Sequence, residues 1–358
     1  MPSQKNIETS NNFPLEDRGY YFPAEFAPQA ATWLSWPHKE ASWPGKIDTI
    51  FPYYSQFVKE LAKGQKVCIN VNDEAMKNFA MVHLQNANVN LSNVEFFFHP
   101  TNDAWCRDHG PAFLINPSAP ANKKVIVDWG YNAWGNKYPP FDLDDNIPTL
   151  IAKHYNIPVY YPGIVMEGGS VEFNGNGTIL TSTACLLNPN RNPHLNQQQI
   201  EEYLYQYYGA KQILWVNDGI VGDDTDGHID DITRFVNQDT VLTVIESNPL
   251  DENYLLLKEN LALLKEMKLL NGKPLNVITL PMPSPVIHED TRLPASYANF
   301  YIANAAVIVP TFRDVNDKIA LEIIQKVFPD REVIGIDSVD IIWGLGSFHC
   351  LSQQEPAV

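Results

Sequence analysis

Hydrophobic and polar positions along this chain follow two periods in turn. Nine short runs, at residues 67–71, 94–98, 125–129, 178–181, 213–216, 241–245, 276–280, 306–309 and 333–336, are rich in β-branched and aromatic residues. Runs of this length bounded by polar or turn residues predict buried strands. Helical spacing appears between them. Within 47–63 the residues Ile47, Ile50, Phe51, Tyr54, Phe57, Val58 and Leu61 form one apolar stripe, and Gly64 is placed to end that helix. Residues 197–208, 253–268 and 316–327 also read as helices, the last with Asn316 as a candidate N-cap. The class is α/β or α+β. The prolines are scattered and mark loops, and no Gly/Ser/Pro-rich linker interrupts the pattern. Residues 1–20 are polar and predict a flexible N-terminal tail, with one domain over 21–358.

A degenerate repeat overlies this pattern. A small-residue turn precedes a short apolar stretch at Gly110 (GPAFLI), Gly168 (GGSVEF) and Gly227 (GHIDDI), at nearly equal spacing. Less regular copies follow at Ser296 (SYANFYI) and Gly346 (GSFHCL). A recurring module suggests radial repetition.

Composition narrows the function. The chain carries 25 Lys and Arg against 42 Asp and Glu, for a net charge of −17. Phosphate recognition needs a basic face, so nucleic acid is not an expected partner. An acidic field attracts small cations, although it also serves solubility alone. No apolar run approaches the ~20 residues that span a bilayer, so no membrane partner is expected. The N-terminus has no secretory h-region. The four cysteines, Cys68, Cys106, Cys185 and Cys350, form no CxxC pair. Reduced thiols in a cytoplasm fit them best.

Candidate chemistry gathers at 105–111 (WCRDHGP), 166–170 (MEGGS), 222–231 (GDDTDGHIDD) and 344–350 (GLGSFHC). Cys350 reads as the end of a short strand after a glycine-containing loop, and is either a nucleophile or a small buried hydrophobe. Cys68 and Cys185 read as structural; Cys106 lies beside Arg107 and Asp108 and stays open. His228 and Asp230 form an H-x-D pair whose side chains would share one face of a strand. They suit proton transfer or metal ligation. Asp108 either pairs with Arg107 or faces a cavity, and Glu167 precedes a tight Gly168-Gly169 turn. Together these residues suit a guanidinium. Carboxylates grip its fork of donors, a thiolate attacks its carbon, and one histidine serves departing nitrogen and incoming water in turn. Neither metal nor cofactor is required.

At these residues the sequence resembles the agmatine deiminase family, also called bacterial peptidyl-arginine deiminase-like. The resemblance runs through TWLSWP (32–37), WPGK (43–46), WCRDHGP, MEGGSVEFNGNGTILTSTACLLNPNRNP, GDDTDGHIDD and GLGSFHCLSQQEP. It implies a pentein fold of five ββαβ-type units around a pseudo-fivefold axis. It also implies Cys350 as nucleophile, His228 as general acid/base, Asp108 and Asp230 as guanidinium clamps, and Glu167 as a guanidinium ligand or orienter of His228. The implied reaction is hydrolysis of agmatine to N-carbamoylputrescine and ammonia through a covalent thiouronium, in a homodimer. Trp33, Trp36 and Trp43 either wall the substrate's apolar stem or pack in the core. Arg191 is a candidate carboxylate clamp for free arginine, or a structural loop residue. Leu345 interrupts what is often a glycine run, and Asp226 and Asp231 stand where Asn is common, which leaves substrate preference open. Three alternatives accompany this reading: an arginine or peptidyl-arginine deiminase, a metallohydrolase built on His228 and Asp230, and a non-catalytic binding pentein.

Overall fold

The computed structural model describes residues 15–358. Residues 1–14, most of the expected tail, lie outside the described residues. Within the remainder of that tail Leu15 and Tyr20 are buried. The Leu15 N–H donates to the Gln206 carbonyl at 3.0 Å, and Tyr21 pairs with Ile115.

Five small sheets repeat one plan: two antiparallel strands, a helix, then a third strand parallel to the second. Unit II joins Ala112–Ile115, Lys124–Val127 and Val159–Tyr160, with the helix Ile147–Tyr155 in the crossover. Unit III joins Val171–Phe173, Thr178–Ser182 and Gln212–Val216. Unit IV joins Thr233–Phe235, Thr240–Ile245 and Asn276–Pro281. Unit V joins Tyr301–Ile302, Ala306–Thr311 and Glu332–Asp337. Unit I is built from both ends of the chain. Ser352–Pro356 pairs antiparallel with Gln29–Ser35, which pairs parallel with Lys66–Asn70, and Val94–Phe97 adds a fourth strand.

The physical logic is local. Parallel neighbours need a long crossover, and a helix fills it in every unit. Gln197–Tyr208 in unit III begins at an Asn196/Gln199 capping box and ends at Gly209, which takes a left-handed φ of 68°. Ile47–Leu61 in unit I buries Ile50, Phe51, Tyr54, Phe57, Val58 and Leu61, the stripe expected from sequence. Asn316 flanks its helix but makes no side-chain cap; its amide instead donates to the Met282 carbonyl. Among the described residues no helix is long and apolar enough to cross a membrane.

The last strand is polar yet buried, which requires partners for each group. Glu355 accepts from Trp33 Nε1 and Tyr155 Oη at 2.9 Å each and from Lys124 Nζ at 2.6 Å. Gln354 accepts from Arg107 at 2.6 Å. Beside them Glu25 joins Arg107 at 2.8 Å, Arg234 at 2.9 Å and His349 Nε2 at 2.8 Å. This buried ion network ties units I, II and IV together beneath the site.

Candidate active site

Just before the first strand of every unit the chain makes a tight turn, and these five turns supply the site. They carry Asp108 (unit II), Glu167 (unit III), His228 and Asp230 (unit IV), Asn299 (unit V) and Cys350 (unit I). The recurrence noted at Gly110, Gly168, Gly227, Ser296 and Gly346 marks these lead-ins. His228 and Asp230 therefore converge through a 3-10 turn at Ile229–Asp231, not through strand alternation as expected. Cys350 likewise precedes the strand Ser352–Pro356 instead of ending one.

The sequence candidates Cys350, His228, Glu167, Asp108 and Asp230 are brought together. Cys350 Sγ lies 3.7 Å from Asp230 Oδ2 and 3.0 Å from Asn299 Nδ2. His228 Nδ1 lies 3.8 Å from Asp108 Oδ1 and 3.9 Å from Asp230 Oδ1. Arg107 does not pair with Asp108; it turns to Glu25. Asp108 is instead fixed by Trp134 Nε1 and the Gly169 N–H, both at 2.9 Å. Asp230 Oδ2 accepts from His349 Nδ1 at 2.6 Å. Glu167 Oε1 is held by Arg191 Nε at 2.6 Å. Arg191 also bonds Asp226 at 2.6 Å and the Thr225 carbonyl at 2.8 Å, so it holds the loop and is not a substrate clamp. Asp226 is likewise occupied, by Arg191 and by Lys137 at 2.8 Å. Both ring nitrogens of His228, Asp230 Oδ1 and Glu167 Oε2 are buried without a hydrogen-bond partner among the described residues. Buried polar atoms are normally paired, so four such atoms in one cluster mark a ligand site.

The charges set the resting protonation. Burial works against a charged His228, but Asp108, the neighbouring Cys185 and then Asp230 outweigh it and hold the imidazole well above its ordinary value. Burial, then Asp230, Asp231 and Asp108, push the Cys350 thiol well above its ordinary value. Burial, followed by Asp230 and Glu167, also raises Asp108. Burial would raise Asp230 too, but His349 outweighs it and lowers that carboxyl. The resting pair is therefore thiol and imidazolium. A cation placed among the acids offsets the field that keeps Cys350 protonated.

The site opens into a cleft of about 330 Å³. Trp105, Trp134 and Trp343 line it, and Leu345 joins them from a left-handed φ of 70°, the backbone conformation for which a glycine is better suited. Trp36 and Trp43, expected at the substrate's stem, are core residues. Trp36 stacks on Phe51 at 5.8 Å between ring centres. Trp43 sits behind Trp105 at 5.2 Å and donates to the Ile341 carbonyl at 2.9 Å. Trp33 is buried on Glu355. Sequence reasoning missed Asn299 and His349; the module recurrence was the one signal that pointed at their positions. Among the described residues two clusters could offer ligands to a metal ion, Glu167 with Cys185 and His228, and Asp230 with Asp231 and Cys350, each with its atoms within 4.8 Å.

The model of the Porphyromonas-type peptidyl-arginine deiminase family matches residues 21–356. The chain belongs to that family. An agmatine deiminase of Pseudomonas syringae pv. tomato is 33% identical, over 98% of this chain and 99% of its own. A cysteine-to-serine variant of the C. jejuni agmatine deiminase, solved with substrate bound, is 35% identical with a TM-score of 0.85, covering 94% of this chain and 96% of its own. The Enterococcus faecalis agmatine deiminase is 30% identical with a TM-score of 0.89, covering 97% of this chain and 98% of its own. An amidinotransferase of Microseira wollei shares the fold alone, at 12% identity and a TM-score of 0.51. The five units are thus those of a pentein, as the family resemblance implied.

Proposed function

We propose that this protein is an agmatine deiminase, hydrolysing agmatine to N-carbamoylputrescine and ammonia, with residues 21–358 as one catalytic domain. The observation that carries this reading is the convergence of Cys350, His228, Asp108, Asp230 and Glu167 beneath one acidic, aromatic cleft, which Asp108 and Cys350 line. Asp108 and Asp230 clamp the guanidinium, with Glu167 beside them. The cation lowers the cost of the Cys350 thiolate, whose proton leaves to solvent. Sulfur adds to the guanidinium carbon. His228 gives its proton to one amino group, the C–N bond breaks, and ammonia departs. The S-alkylthiouronium remains. Neutral His228 then takes a proton from water as its oxygen adds to the carbon. The C–S bond breaks, and the hydroxyl proton returns to the thiolate as the urea product forms.

The cleft mouth favours agmatine over arginine. Its lining includes the acids Asp103, Asp224 and Glu289, and Lys39 is held by Asp103 at 3.4 Å. Such a rim receives a terminal ammonium and repels a carboxylate. Trp134 and Trp105 flank the path of the four-carbon stem. A homodimer and a cytoplasmic setting complete the reading.

The deciding experiment compares ammonia release from agmatine, L-arginine and a blocked arginine peptide, each with chelator present. Release from agmatine alone supports the reading. Release only from the arginine compounds overturns the substrate, and release that requires added metal overturns the mechanism.

A further inference from the structure

The reaction above uses groups from four of the five lead-in turns. The turn of unit V, residues 296–299, contributes Asn299, which is buried and donates from Nδ2 to Cys350 Sγ at 3.0 Å. We infer that Asn299 is a further catalytic residue, the hydrogen-bond donor that holds the Cys350 thiolate. This inference rests on the proposed role of Cys350 as nucleophile.

The orientation of the amide is set by chemistry. Its Oδ1 faces the backbone N–H groups of His349 at 3.1 Å and Cys350 at 3.3 Å. Backbone N–H groups can only donate, so the atom facing them is the oxygen. That leaves the NH₂ end on the other side. One of its hydrogens goes to Asp231 Oδ1 at 2.8 Å, and the other to the sulfur. Ser296 anchors the same turn, donating from Oγ to the Asp231 carbonyl at 2.7 Å and accepting from the Ala298 N–H at 3.1 Å. The amide therefore cannot rotate away without breaking four bonds.

An N–H donor strengthens its bond when the acceptor becomes an anion. It therefore favours the thiolate over the thiol, against the three acids that oppose it. The same bond is available when the thiolate re-forms as the C–S bond breaks. A better-held thiolate is a weaker nucleophile, but the loss is partial. Nucleophilicity falls by roughly threefold for each tenfold gain in thiol acidity, while the thiolate fraction at a pH below the pKa gains the full tenfold. The donor is therefore a net gain at neutral pH.

The test is carboxamidomethylation of Cys350 by iodoacetamide as a function of pH, followed on the Cys350 peptide by mass spectrometry. It uses the full chain and the variants Asn299→Ala and Asn299→Asp. The second is isosteric, keeps an acceptor for both backbone N–H groups and lacks the donor, so it remains informative if the alanine variant does not fold. Both profiles are expected to move to higher pH. A profile displaced by about one pH unit has a neutral-pH rate about threefold lower and a high-pH plateau higher by about as much. A wild-type profile in either folded variant overturns the inference. Alkylation needs no agmatine, so the outcome is read whatever the substrate proves to be.

Discussion

The backbone N–H of Gly169 donates to Asp108 Oδ1 at 2.9 Å. A Cβ built on Gly169 would lie 2.5 Å from His228 Nδ1, 2.9 Å from Asp108 Oδ1 and 3.1 Å from Asp230 Oδ2. The chain thus comes as close to three site groups as a backbone can, and only glycine permits it. Gly169→Ala should fold, because the atoms it displaces belong to side chains, yet it should lose activity by about 100-fold or more through misplacement of the acids and the base. Ammonia release, set beside thermal melting, separates the two effects.

Tryptophans divide into two groups by what they touch. Trp134→Phe keeps the cleft wall but removes the indole N–H bond to Asp108. A bond to a charged group is worth about 1.5–3 kcal/mol, so kcat/KM for agmatine should fall by roughly 10- to 100-fold. Trp36→Phe should leave both kinetic constants unchanged and lower the urea midpoint, since the Trp36 ring packs on Phe51, Tyr54 and His83 in the core. A rise in KM for Trp36→Phe would return it to the substrate site.

His228→Gln should lower kcat by about 10²- to 10⁴-fold with little change in fold, since neither ring nitrogen has a hydrogen-bond partner among the described residues to lose. Stopped turnover should also show which step suffers most. A variant that still forms the thiouronium but cannot release it would place the histidine's main work in the second half of the reaction.

Much of this architecture can be read from the residues, and the exceptions have physical causes. Eight of the nine apolar runs became second or third strands of units and 94–98 became the fourth strand of unit I; second strands such as 241–245 and 306–309 are buried on both faces and need no alternation. The first strands escaped the pattern. Val171–Phe173 is too short for any period, and Ser352–Pro356 reads as a polar tail because Gln354 and Glu355 find their partners at positions distant in sequence. The acids, His228 and Cys350 were legible as a chemical set. Asn299 was not, because one asparagine in an apolar stretch carries no signal until the turns bearing Asp231 and Cys350 are folded against it. Nor does any local feature separate Trp134, at the cleft, from Trp43, behind its wall.

Glu25 accepts from two arginines, His349 and the Ile302 N–H. Burial alone would raise its carboxyl, but Arg234, His349 and Arg107 outweigh burial and hold it below the ordinary carboxylate range. Its folded value lies under its unfolded one. Its contribution to stability is therefore complete above the ordinary range and declines as pH falls through and below it. Glu25→Gln leaves buried Arg107 without a carboxylate partner, while Arg234 keeps Glu172 and His349 keeps Asp230, and should cost about 3–5 kcal/mol in urea unfolding at neutral pH. The gap to wild type should narrow in acid, and a gap that widened there would contradict the assignment.

Glu289 stands exposed at the cleft rim on a turn with φ of 44°. Exposed ion pairs contribute about 0.2–1 kcal/mol. Glu289→Gln should therefore raise KM for agmatine by less than about fivefold and leave kcat unchanged. An unchanged KM at low ionic strength would remove it from amine recognition.

Unit I is completed by a strand from the opposite end of the chain, with Trp33 bonded to Glu355 across 322 positions. The other four units form from contacts nearby in sequence, but this one waits for the costliest loop closure in the molecule. Cys350 sits two residues before the strand that makes that closure. A partly folded chain could thus assemble its carboxylates and gather cations while the sulfur was still unplaced. Under the proposed mechanism, activity would therefore report finished assembly, because the nucleophile sits beside the joint between two segments distant in sequence.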